Sequence, residues 1–130
     1  MPRLPAAVLL ALFGTQAAAL PPLEEVPAVR DGLVAAAIAY EIGRTCDGVD
    51  ARLLRGVAFL EGLKGEARRL GYARGEIAEF IDDEAAKARL EADARAILRG
   101  KGAVPGDPQS YCAVGRAEIA AGSQIGRLLR

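Results

Sequence analysis

Few side chains in this sequence can do covalent chemistry, and the most telling are Cys46 and Cys112. A thiol pair can close a structural disulfide, remain as two free thiols, pair between molecules, or cycle as a redox couple. Redox cycling needs an activated thiolate, ordinarily in a Cys-x-x-Cys pair at a helix start. These two cysteines lie far apart in sequence, and only Arg44 adds a nearby positive charge. The chain contains no His, so Ser-His-Asp and Cys-His sites lack the imidazole that takes the proton. Zinc sites that use His are excluded for the same reason. Beyond residue 19 the hydroxyls other than tyrosines are Thr45, Ser110 and Ser123. Catalysis is not expected, and neither is a cofactor or a metal.

Two further clusters invite chemistry and are read as structure. Asp82-Asp83-Glu84 is the densest acidic run. Calcium loops space their oxygen ligands around a turn glycine, whereas neighbours on a helix point roughly 100° apart. The triplet therefore reads as a solvated face or a helix start. Gly100-Lys101-Gly102 lacks the Gly-x4-Gly-Lys-Ser/Thr order of a phosphate loop and follows a helix rather than a strand. Tyr40, Tyr72 and Tyr111 read as core or rim residues. Arg116 and Glu118 are candidates to pair with Glu41 or Arg44.

The fate of the cysteines depends on compartment. Arg3, the apolar run Ala6 to Phe13 and the small residues Ala17-Ala18-Ala19 follow the charged, apolar, small-residue order of a secretory signal. The run is about half the roughly twenty residues needed to span a bilayer. Cleavage is expected after Ala19, delivering residues 20–130 to the periplasm or the exterior without a stable membrane anchor. In such a compartment Cys46 and Cys112 are expected to form one disulfide. The bond would close a loop of about 65 residues, worth roughly 4 kcal/mol in the chain-entropy account. Removing residues 1–19 takes away Arg3 and no acid, leaving one net negative charge. That balance gives no long-range attraction to nucleic acid or an acidic membrane. The arginines look scattered among the acids.

The elements that position these residues read as helices. Residues 20–27 are expected to form an extended, proline-rich leader, and residues 28–130 a single helical domain. Leu33, Ala37 and Tyr40 make one stripe of a first helix; Val34, Ile38 and Ile42 make its neighbour. A second helix spans 50–70, with Asp50 as its N-cap, apolar residues from Leu53 to Leu70 at spacings of three and four, and Gly71 at its end. Gly56, Gly62 and Gly65 each weaken it, and close helix approach is the reading for Gly56. A third helical region, 74–99, reads as one long element kinked near Ile81. Residues 100–106 are a loop. Asp107-Pro108 opens a fourth helix, and Gly122-Ser123 ends it and caps a short terminal one.

The leader Leu20-Pro-Pro-Leu23, the Glu41-Ile42 to Cys46 segment, and the tail from Val104 to Leu129 resemble a domain-of-unknown-function family of small secreted alphaproteobacterial proteins. The resemblance implies a small, exported, mostly helical protein with one cysteine pair, and no activity or ligand. The expected fold is all-α: four main helices and a short C-terminal helix, stapled by Cys46 and Cys112. The expected role is a structural or protein-interaction module with a protein partner. The alternatives are a periplasmic holdase or a carrier of small molecules or lipids.

Overall fold

The structure is a computed structural model that describes residue 14 and residues 19–130. Apart from residues 14 and 19, the expected signal segment lies outside the described residues. A 3-10 turn, Leu23–Glu25, leads into α1 (Pro27–Thr45) and α2 (Leu53–Arg69). These are followed by α3 (Arg74–Asp82), α4 (Glu84–Gly100), α5 (Pro108–Ala121) and α6 (Gln124–Arg127). Among the described residues there is no strand, only two isolated bridges. The fold is all-α, and Cys46 and Cys112 are joined with their Cα atoms 5.2 Å apart.

Helix α1 is the central element. Its Val34, Ile38 and Ile42 stripe enters the main core, where Leu98 of α4, Val114 of α5, and Ile125, Leu128 and Leu129 of the tail meet it. Ile42 is fully buried. Leu23, Val29, Ala67, Tyr72 and Ile77 form a smaller core at the other end of the helix. Helix α2 folds back along α1. A Cβ on Gly43 would come within 2.7 Å of the Ala51 amide nitrogen, and one on Gly32 would meet the Leu63 side chain.

The third helical region is two helices. Asp83 leaves helical geometry and its carboxylate accepts the Ala86 N–H at 3.0 Å, capping α4. Three consecutive acids oppose the negative end of one helix dipole and suit the positive end of the next, so the break falls among them. Asp50 does not cap α2. The N-cap is Arg52, which makes no side-chain cap bond, while Asp50 exchanges backbone hydrogen bonds with Arg130. At the tail, Gly122 adopts a left-handed conformation and Ser123 caps α6 through the Gly126 N–H, as expected.

Helix α2 is lightly held. Ala67 is its one buried residue. Gly56 is not a close-approach glycine, because a Cβ there or at Gly62 would meet nothing within 4 Å. Both positions carry the backbone entropy of glycine without a packing return. Gly56→Ala and Gly62→Ala are each expected to stabilise the protein by about 1 kcal/mol, measured as a rise in the urea midpoint at constant slope.

Candidate functional site

The second apolar stripe of α1 is only partly buried, with Leu33, Ala36 and Ala37 packed at the edges of the two cores. Leu33, Ala36, Ala37 and Tyr40 form the floor of a half-open cleft of about 900 Å³. Helices α2 and α4 each pack on α1 rather than on one another, and the space between them is the cleft. Val57, Leu60 and Leu63 form one wall; Leu90 and Ala94 form the other; Phe80 and Ile81 of α3 contribute further lining. The lining residues of α1 run from Val29 to Arg44, roughly 22 Å along a helix axis. The site is therefore an elongated apolar trough. Much of its lining remains open to solvent: Val57 is 60% and Ile81 51% exposed.

This arrangement explains the shallow burial of α2. Its apolar stripe has the spacing of a core-facing helix, yet it borders a space that no other element among the described residues fills. Glycines at 56, 62 and 65 leave that wall weakly propagated.

The rim carries seven charged residues, mostly in pairs. Arg44 donates to both oxygens of Glu41 at 2.8 and 3.2 Å. Lys64 donates to Glu61 at 2.8 Å and holds that carboxyl below its ordinary range. Arg95 lies 4.0 Å from Glu91. Lys87 is the exception: among the described residues it has no ion pair within 4 Å. It enters the lining from the first turn of α4, just after Phe80 and Ile81 in the chain.

The other residues singled out in the sequence lie elsewhere and serve the scaffold. Cys46 and Cys112 are buried and bonded to each other. Among the described residues no group of three or more metal-ligating side chains is gathered, and Asp82, Asp83 and Glu84 mark the α3–α4 corner. Lys101 pairs with Glu118 at 2.6 Å, so Glu118 does not serve the partner expected for it. Lys101 first, and the Ser123 hydroxyl second, hold the Glu118 carboxyl below its usual range. The expected pairing of Glu118 or Arg116 with α1 does not occur, because Glu41 and Arg44 satisfy one another. Tyr72 is buried and donates to the Pro21 carbonyl. Tyr111 is in the main core, and Tyr40 is exposed on the cleft.

The cleft was not foreseen in the sequence. Its one signal was the breadth of the α1 apolar face, two adjacent stripes where a single core contact needs one. Among the described residues no helix is long and apolar enough to cross a membrane. No curated protein and no solved structure matches the chain. A model of a family of unknown function, DUF5333, matches residues 21–130, and the chain belongs to that family.

Proposed function

We propose that this is an exported, non-catalytic binding protein whose cleft takes up a single-chain amphiphile with an anionic end, such as a long-chain fatty acid. The observation that carries this reading is the trough itself. Its volume of about 900 Å³ falls within the range typical of small-molecule sites, roughly 300–1,000 Å³, and its lining is mainly apolar. An elongated trough suits a linear chain better than a compact ring system. Lys87, lacking an ion pair, supplies a cation for the anionic end, while the remaining rim charges largely neutralise one another. Export rests on the signal-like order of residues 1–19 and is supported by the disulfide.

The test is titration with a fluorescent fatty acid. Saturable one-to-one binding is expected, and Leu60→Lys, which places a charge in the wall, should weaken it by roughly tenfold or more. Lys87→Gln should weaken the acid but leave the corresponding fatty alcohol unchanged. Non-saturating uptake, or an unchanged affinity in Leu60→Lys with an unchanged melting curve, sinks the proposal.

A protein partner is the second reading, favoured by the exposed apolar residues Tyr40, Val57 and Ile81 along the cleft. An amphipathic helix laid between α2 and α4 would cover them. In that case a helical peptide, and not the fatty acid, would protect the amides of α2 from hydrogen exchange.

A further inference from the structure

Away from the cleft, the most exposed large apolar side chain among the described residues is Leu54, 89% accessible, beside Leu53 at 69% in the first turn of α2. Isolated surface leucines need no explanation. The surroundings of this pair set it apart. The chain's last residues return to the start of α2: the Asp50 N–H donates to the Arg130 carbonyl at 2.8 Å, and the Arg52 N–H to the Leu128 carbonyl at 2.8 Å. The Arg55 guanidinium donates to the Arg127 carbonyl at 3.2 Å. These bonds bring the tail that carries Arg127 and Arg130 beside Arg52 and Arg55, across a separation of 72 residues between Arg55 and Arg127. Ala51, Leu53 and Leu54 share a shallow depression with Arg52, Arg55 and Arg130.

The three guanidiniums of this depression, and that of Arg127 in the adjoining tail, face little acid. Arg130 lies 3.9 Å from Asp50, with both side chains well exposed. Arg127 donates to the Gly122 carbonyl and the Gln124 side-chain oxygen, both neutral. Among the described residues Arg52 and Arg55 have no carboxylate within 4 Å. A chain with zero formal net charge thus gathers three guanidiniums, Arg52, Arg55 and Arg130, beside Leu53 and Leu54, the two most exposed leucines among the described residues.

We propose that this surface docks peripherally on an anionic lipid bilayer. Two leucines are enough apolar surface to enter the headgroup boundary and too little to anchor the protein. Guanidiniums meet phosphate oxygens in bidentate fashion, and basic residues near a membrane surface respond to its negative potential. Charge complementarity therefore selects the partner, and binding should be reversible and sensitive to salt. The proposal stands independently of the cleft and its ligand.

The test is flotation of the full protein with vesicles of phosphatidylcholine alone or with about 30 mol % phosphatidylglycerol. Binding is expected only to the anionic vesicles, and should disappear near 0.5 M salt, where the Debye length is only about 4 Å. Leu53→Ser/Leu54→Ser and Arg52→Gln/Arg55→Gln should each reduce it roughly tenfold, with melting curves unchanged. Arg74→Gln/Arg99→Gln, outside the patch, should float like the parent. Equal binding to both vesicle types, no binding to either, or equal loss in the Arg74/Arg99 control overturns the proposal. Capture by soluble polyglutamate without flotation also overturns it, and points to an acidic protein partner instead.

Discussion

Replacing Cys46 and Cys112 by alanine is expected to cost about 4 kcal/mol of folding stability. The bond joins the C-terminal end of α1 to the first turn of α5 across a sequence separation of 66 residues. That loop contains all of α2, α3 and α4, and closing it removes a large part of the unfolded chain's freedom. Both cysteines are 2% exposed, so truncation also removes core contacts. Against the 5–15 kcal/mol typical of a domain, this loss leaves a marginal protein. Urea unfolding of the oxidised protein, the reduced protein and the double variant checks it, read as free energy from midpoint and slope. The reduced and alanine forms should fall close together and well below the oxidised form. A reduced protein as stable as the oxidised one would show that the core alone holds α1 against α5.

Gly126→Ala is expected to cost about 3 kcal/mol, the upper part of the range for overpacking. Gly126 lies in α6 where it passes over the end of α5. A Cβ there would fall inside the Glu118 carbonyl group and within 2.8 Å of the Ile119 nitrogen. The obstacle is backbone, so no rotamer change relieves it, and α6 must move away from α5. Ser123 fixes the same turn by capping the Gly126 N–H and contacting Glu118. Moving α6 would withdraw Ile125, Leu128 and Leu129 from the main core. It would also pull Arg130 from Asp50. Thermal melting should drop by roughly 4–8 °C per kcal/mol in a domain near this size. Gly122→Ala, four residues earlier and hindered only by its left-handed backbone, should cost less, about 1 kcal/mol.

What was legible in the sequence was governed by residues close together along the chain. The α1 start, expected at Ala28 and found one residue earlier at Pro27, the Asp107-Pro108 opening of α5, the Gly71 and Gly122 stops and the Ser123 cap each depend on a residue and its neighbours within a turn. The α3–α4 break was half legible. The acidic triplet marked a possible helix start, but continuous apolar spacing argued for one element, and the Asp83 carboxylate decides it by capping Ala86. Asp50 had the right residue type for a cap at α2 and is used otherwise, because the returning tail claims its backbone.

The sequence by itself determined an all-α chain, its principal helix ends, the absence of imidazole chemistry, and, given export, the pairing of Cys46 with Cys112. Each follows from composition, from a local backbone preference, or from there being one possible partner. The tertiary structure alone decided which apolar stripe of α1 is core and which is cleft floor, since the two have the same helical spacing. It alone gathered Arg52, Arg55 and Arg130 around Leu53 and Leu54. Both outcomes depend on where helices distant in sequence come to rest, and amphipathic spacing records that a face is apolar without recording what, if anything, will cover it.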